Sequence, residues 1–440
     1  MATQRMALYE KALQTTRCHK TYGRIEKVIG LTIESRGPAT RIGDICSIRG
    51  DEGASALCEV VGFREDRVLL MPLGPLEGLS PGSEVEATGD SLRIAVGEPL
   101  LGRVLDGLCQ PIDDLGPLGC DQSVRISRDP PAPLLRDRID TPLATGVRVI
   151  DGLLTLGRGQ RVGLFAGSGV GKSTLLGMIA RGSEADVNVI ALIGERGREV
   201  REFIERDLGQ ARERSIVVVA TSDQPPLLRV KGAFTATAVA EYFRDRGRKV
   251  TLMMDSITRF AMASRELGLA VGEPPTARGY TPSVFAALPR LLERAGCSER
   301  GSITAIYTVL VDGDDLQDPI SDAVRGILDG HIVLSRDLAN RGHFPSVDPL
   351  QSVSRLMTEI ASPEHVRAAM QIRTLMAAKR DVEDLIRIGA YQAGSDPAAD
   401  QAIAVEPALL RYLRQDVGER SDFAETVARL GQLAEGVIAP

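Results

Sequence analysis

Ala166-Gly167-Ser168-Gly169-Val170-Gly171-Lys172-Ser173 joins an apolar run, Arg161 to Phe165, to a helical pattern that begins at Lys172. Small residues there leave successive backbone N–H groups free to face phosphate oxygens, and the following helix adds the positive end of its dipole. Lys172 brings a point charge to the β- and γ-phosphates, and the Ser173 hydroxyl is a ligand for Mg²⁺. Gly167, Ser168, Gly169, Val170, Gly171 and Thr174 complete the nucleotide cradle. Ala166 stands where the usual pattern has glycine, at little cost if its φ is negative. A glycine-rich strand-to-helix turn without a ligand is the alternative, and the Gly-Lys-Ser ending in its strand-loop-helix context favours the P-loop.

Around this stretch, apolar runs alternate with helical patterns: Arg161 to Phe165, Val187 to Ile193, Ser215 to Ala220, Val250 to Met254, Ile303 to Val309 and His331 to Leu334. That order predicts a parallel sheet covered by helices on both faces, so ligands should gather at the carboxyl ends of its strands. The run from Lys249 ends in Asp255, placed to act as the Mg²⁺-side partner of the P-loop. Val187 to Ile193 ends in Gly194-Glu195-Arg196-Gly197-Arg198-Glu199. A carboxylate at that mouth can orient and polarise an attacking water, and Glu195 is the candidate. An acid there also suits the N-terminus of the next helix, and from the residues alone Glu195 could simply be a cap.

The 440 residues suffice for two or three domains, and 43% hydrophobic residues for a large core. A net charge of −6 argues against general nucleic-acid binding. The six cysteines, Cys18, Cys46, Cys58, Cys109, Cys120 and Cys297, form no C-x-x-C pair and have four histidines for company, which predicts reduced thiols rather than a zinc site or disulfide framework. No signal-peptide pattern and no membrane-length apolar run is present, so the expected location is cytoplasmic.

Residues 1–20 mix Met6, Leu8, Tyr9 and Leu13 with Arg5, Lys11, Arg17 and Lys20, the pattern of a short basic amphipathic helix or of a solvated end. Over 21–93, short β-rich runs (Ile25 to Ile33, Ile45 to Ile48, Ala56 to Val61, Arg67 to Met71, Ser83 to Ala87) predict a small closed barrel. A Gly- and Pro-rich arm then feeds the core, giving an expected unit over 94–362. Ser362-Pro363 starts a helical stretch that stops at Gly389, opening a C-terminal helical domain over 363–440.

Gly194-Glu195-Arg196, Met254 to Phe260 and Pro345 to Arg355 resemble signatures of the rotary ATP synthase family, a likeness running from about Tyr22 to the end of the chain. Within it, Gly272 to Tyr280, Leu288 to Arg294 and Gly389 to Gly394 resemble the ATPases of type III protein export. The resemblance implies an α/β fold, with a small N-terminal β-barrel, a central RecA-like P-loop parallel-sheet ATPase domain and a C-terminal helical domain, in a homohexameric ring that binds Mg-ATP at its seams. It makes Glu195 the catalytic acid and Arg355 an arginine finger reaching a neighbour's γ-phosphate; a structural ion pair is the alternative for Arg355. Arg196 and Arg259 match positions near the phosphates, or buttress Glu195 and Asp255. Phe344 matches an adenine-stacking aromatic, with a core phenylalanine the alternative, and Tyr280 falls in a loop facing a central channel.

The implied partners are a stator-like regulator at the N-terminus, a central stalk protein, the export gate, chaperones and exported proteins, with peripheral membrane contact at the inner face of the cytoplasmic membrane. Gly23 to Leu31 and Arg411 to Val417 look more like the flagellar member than the virulence-type one. Two rivals remain. A rotary ATP synthase subunit should carry an acidic lever motif, which has no close match between Pro363 and Pro440. An RNA translocase of the Rho type should stack bases on N-terminal aromatics, yet residues 1–95 hold only Tyr9, Tyr22 and Phe63.

Overall fold

A computed structural model describes residues 20–50, 55–311, 315 and 317–436. The expected amphipathic segment 1–20 lies outside the described residues apart from Lys20. The chain divides into two compact units, one taking the residues up to Leu92 with Leu267–Glu273, the other the remainder.

In the first unit, β1 (Tyr22–Ile29), β2 (Thr32–Arg36), β3 (Asp44–Arg49), β4 (Ser55–Arg64), β5 (Arg67–Pro72) and β6 (Glu84–Ser91) close into a barrel in the order β1-β2-β5-β4-β3-β6. Its filling follows the strand period of two: Cys46 and Ile48, Cys58 and Val60, Val68 and Leu70, and Val85 and Ala87 alternate inward. The run expected as one strand, Ile25 to Ile33, is a hairpin instead, because Gly30 takes φ 56° and turns β1 back into β2.

The second unit opens with β7 (Arg93–Val96), which pairs with β9 (Gln122–Arg125), and β8 (Val104–Asp106) between them. Two short strands, β10 (Pro142–Leu143) and β11 (Leu156–Gly157), precede the main run: β12 (Arg161–Ala166), β13 (Val187–Ile193), β14 (Ser215–Ala220), β15 (Lys249–Asp255), β16 (Gly296–Cys297), β17 (Ser302–Leu310), β18 (Gly330–Leu334) and β19 (Val353–Ser354). The sheet runs β19-β18-β12-β17-β15-β13-β14-β8, parallel from β18 to β8. All six expected strands are present. β8 escaped the sequence reading, since a three-residue strand inside a Gly/Pro-rich arm has no periodicity to detect.

Three helices, Pro363–Arg387, Pro397–Leu413 and Phe423–Ala434, close the chain. Ser362 caps the first, its Oγ accepting from the N–H of His365, and Gly389 with φ 69° follows its end. Ile372, Leu375, Leu409, Tyr412 and Leu430 of these helices join Ile150, Leu153, Leu176 and Ile179 in one apolar core. Among the described residues no helix is long and apolar enough to cross a membrane, and Cys46, Cys58, Cys109, Cys120 and Cys297 are all free.

A buried ion pair braces the strands that carry the site. Glu241 lies on the helix Pro226–Arg244, which packs on β13, β14 and β15. Arg294 grips it bidentately, Nε donating to Oε1 at 2.9 Å and Nη2 to Oε2 at 2.7 Å, while Nη1 donates to the Ile126 carbonyl. Both side chains are 1% exposed. Arg294→Met leaves Glu241 only the half-exposed Arg128, 3.7 Å away, so we expect a loss of about 3 kcal/mol, read as a lower denaturant midpoint. Arg294→Met/Glu241→Leu should recover most of that loss, which separates the stranded charge from lost packing.

Candidate active site

The P-loop leaves β12 and enters the helix Lys172–Gly182. Gly169 with φ 79° and Gly171 with φ 93° make the turn in a backbone region that other residues resist. Ala166 is the last residue of the extended strand β12, so it fits where the common pattern has glycine. The loop is held from behind, where Ser346 Oγ donates to the Val170 carbonyl at 2.6 Å.

Beside it converge the ends of two further strands. Glu195 follows β13 and Asp255 ends β15. Lys172 Nζ donates to Asp255 Oδ1 at 2.6 Å and to Glu195 Oε1 at 3.2 Å. β17, between β12 and β15, contributes Thr308, whose hydroxyl donates to the same Asp255 oxygen at 2.7 Å. One ammonium serves two acids. Burial works against the Lys172 charge but Asp255 and Glu195 outweigh it, and the lysine pKa is raised. Burial pushes both carboxyls above their ordinary range, beyond what the shared ammonium offsets, with Glu199 adding to the rise at Glu195. A water-excluded carboxylate with a raised pKa is the profile of a general base.

Glu195 does not cap the next helix. The N-cap position of Gly197–Glu202 is Arg196, without a side-chain capping bond. Gly194, φ 73°, is required because a Cβ there would stand 2.8 Å from the Cβ of Arg259. Arg259 bonds neither acid; its Nη1 faces Met262 Sδ, and its buried Nε lacks a hydrogen-bond partner. A guanidinium in that condition, lining the same cavity as Gly167, Lys172 and Glu195, is suited to an anionic ligand. Arg196 is largely exposed, 4.0 Å from Glu199.

The cavity at the P-loop, about 670 Å³, is lined by that loop, Thr174, Glu195, Arg196, Glu199, Ser222 and Arg259. A second cavity of about 710 Å³ shares Gly171 and Thr174 with it. Phe344 lines this one, 46% exposed, its ring about 3.7 Å from where a Cβ on Gly171 would lie. It is thus no core phenylalanine. Its lining also includes Arg411, Arg414 and Asp416, residues the sequence could not connect to the P-loop because more than 230 positions separate them. The second cavity thus sets the Phe344 ring, Leu175, Met178 and Leu334 beside charged side chains, whereas the first is lined by the P-loop and charged or polar groups.

No cluster of three or more His, Cys, Asp or Glu suited to a metal exists among the described residues. Mg²⁺ needs none, since it keeps several waters and binds through one or two carboxylates plus substrate phosphates. Asp255 with the half-exposed Ser173 hydroxyl fits that limited donor set.

Arg355 lies elsewhere. It follows β19, its N–H donates to the Asp329 carbonyl and its Nη2 to the Arg325 carbonyl. Asp329 is the partner of Arg161 at the start of β12, whereas the P-loop leaves that strand's other end. At about 3.3 Å per residue the two ends are roughly 15 Å apart. Exposed there, Arg355 cannot serve its own P-loop. Tyr280 corrects the expectation of a channel-facing ring. It is 5% exposed, edge-on to Phe285 and beneath Arg265, because the helix Pro282–Leu292 covers it. The exposed stretch of that loop is Pro274 to Arg278.

Comparison with known proteins agrees with this layout. Residues 25–89 match the beta-barrel domain and residues 146–354 the nucleotide-binding domain of the ATP synthase alpha/beta family; residues 361–432 match the T3SS EscN ATPase C-terminal domain. The chain is 56% identical over 430 residues to a flagellum-specific ATP synthase of Bacillus subtilis, covering 96% of this chain and 97% of that one. It is 51% identical over 428 residues to a type 3 secretion system ATPase of Xanthomonas euvesicatoria, covering 97% of each. The assembled ATPase EscN of the enteropathogenic E. coli type III secretion system superposes with a TM-score of 0.89 at 48% identity, covering 94% of this chain and 100% of that one. EscN in complex with its central stalk EscO gives 0.87 with the same identity and coverage. With β-barrel, P-loop sheet and C-terminal helices all matched at this identity, the chain belongs to the flagellar and type III secretion ATPases of the ATP synthase alpha/beta family.

Proposed function

We propose that this chain hydrolyses Mg-ATP at the mouths of β12, β13 and β15, in a homohexameric ring that drives protein export through a bacterial type III apparatus, the flagellar one. The observation that carries this reading is Lys172 Nζ bonded to both Glu195 and Asp255 beside the P-loop. Glu195 orients the attacking water and takes its proton as the water oxygen bonds to the γ-phosphorus and the bond to the β-γ bridging oxygen breaks. Lys172 and Arg259 stabilise charge on the phosphate oxygens, and Arg196 stands at the cavity's edge. Asp255 and Ser173 would hold Mg²⁺, which when bound would neutralise phosphate charge. Phe344 stacks on the base.

Arg355 is too far along the sheet for its own P-loop, so it acts as the finger of the neighbouring subunit. The flagellar assignment rests on the stretches Gly23 to Leu31 and Arg411 to Val417; a virulence-type apparatus is the alternative. The ring works in the cytoplasm at the inner membrane face, with a stator-like regulator on residues 1–20 and a central stalk, export gate, chaperones and exported proteins as partners.

Lys172→Ala and Glu195→Gln should each abolish phosphate release from ATP and leave the circular dichroism spectrum unchanged. They should part in binding, Lys172→Ala weakening nucleotide affinity and Glu195→Gln preserving it. Normal turnover by Glu195→Gln would show that another group handles the water.

Burial and Glu199 raise the pKa of Glu195, and the base must be deprotonated to act. The acid limb of kcat/KM should therefore lie above the ordinary carboxylate value of about 4.3, activity falling as pH drops through the raised pKa. Glu199→Ala should move that limb to lower pH.

Mixing Lys172→Ala with Arg355→Ala subunits should restore hydrolysis that neither has alone, since a seam can pair an intact P-loop with an intact finger. Mixtures as inactive as their components would rule out a shared site.

A further inference from the structure

The cavity lined by Phe344 also has in its lining a buried amide, Gln415, with both side-chain polar atoms hydrogen-bonded. Gln415 is 5% exposed and follows the helix Pro397–Leu413. Its side-chain Oε1 accepts from the N–H of Arg148 at 2.8 Å; its Nε2 donates to the carbonyls of Gly146 at 2.7 Å and Glu419 at 2.9 Å. Its backbone N–H donates to the carbonyl of Phe344 at 3.0 Å. Arg148 fastens the same turn, with Nε donating to the Tyr412 carbonyl and the guanidinium also reaching Glu419 and the Arg414 carbonyl.

Phe344 is therefore tied on both sides. Two residues on, Ser346 bonds the P-loop carbonyl of Val170; Phe344 itself accepts from Gln415. The ring stands half-exposed between these anchors, where a small backbone shift would change how it meets a flat ligand. Among the described residues the Gln415 side chain makes no hydrogen bond to Lys172, Glu195 or Asp255, which bond one another and Thr308.

We propose that Gln415 is a positioning residue for the nucleotide base, locking the C-terminal turn to Gly146 and Arg148 so that Phe344 is held at stacking distance from a purine ring. This rests on the reading of Phe344 as the base-stacking residue. It deepens that reading by making base affinity depend on where the C-terminal helices sit. Gln415 acts through Phe344, so its loss should weaken what contacts the base and spare what contacts only phosphate. Gln415→Glu should act at least as strongly as Gln415→Ala, because a carboxylate oxygen would face the Gly146 and Glu419 carbonyls where Nε2 now donates.

The test compares ATP with tripolyphosphate, which has the phosphate chain and no base, as a competitive inhibitor of the full-length protein. Gln415→Ala and Gln415→Glu should raise the KM for ATP about tenfold with kcat within about twofold, and leave the tripolyphosphate inhibition constant unchanged. In Phe344→Ala the further substitution of Gln415 should add little, the signature of two residues acting as one. An unchanged KM in the Gln415 variants, beside a raised KM in Phe344→Ala, would overturn the inference and leave the stacking reading standing. A parallel rise in the KM for ATP and the tripolyphosphate constant would also overturn it, making Gln415 a brace for the whole cavity. If Phe344→Ala leaves the KM unchanged, the stacking reading itself falls. Thermal unfolding of each variant checks its fold, and Gln415→Asn, which keeps the amide but shortens its reach, replaces any variant that fails it.

Discussion

One ammonium between two carboxylates is the constraint on which this structure turns. Lys172 opens a helix, Glu195 follows one strand and Asp255 ends another, and their side chains meet within 3.2 Å. Such a meeting requires strands whose carboxyl ends lie at one edge, which a parallel sheet provides and an antiparallel one does not. It also requires those ends to be dry, since the raised pKa values of both acids come first from burial. The site therefore holds charges poised to be redistributed: an ammonium that two acids share can turn to phosphate at small cost once another cation neutralises Asp255.

The same sheet sets a second requirement. Because β19 pairs antiparallel with the start of β18, Arg355 emerges at the edge opposite the P-loop. A chain that carries its phosphate cradle on one edge and an exposed guanidinium on the other suits head-to-tail association, which closes into a ring when the rotation permits.

Much of this was legible in the residues, and the reasons differ by element. Val187–Ile193 and Ser215–Ala220 are buried along their full length, so uninterrupted apolar runs betrayed them. Gly-Lys-Ser and the strand-ending Asp255 were legible because phosphate chemistry demands those residue types at those places. Glu195 could be read from its neighbours as a cap or a base; that Arg196 takes the N-cap while Glu195 meets Lys172 is a contact between distant residues that no local pattern displays. Arg259 stayed undecided for a similar reason: whether a guanidinium pairs with an acid or waits for an anion is a fact of three dimensions. Tyr280 was misplaced because a glycine-flanked aromatic reads as exposed loop, while Phe285, five positions on, supplies its cover. Arg411, Arg414 and Gln415 lie in a stretch whose likeness to the flagellar member was legible, but nothing local marked them as a cavity lining, since Gln415 meets Phe344 and Arg148 from some 70 and 270 positions away.

That last distance carries a physical consequence. The phosphate end is built on consecutive strands of one sheet, whose ladders and buried Arg294–Glu241 brace resist displacement. The cavity beside Phe344, where the proposed function seats the base, is built from a loop at Phe344 and a turn at Gln415, elements with fewer backbone ladders to hold them. Local stability is uneven in this way wherever a rigid sheet meets connecting segments. Displacing the C-terminal helices would then alter the wall around the base before it disturbed Lys172, Glu195 or Asp255. On the proposed reading, such a subunit would loosen its hold on a base while Lys172, Glu195 and Asp255 stayed together.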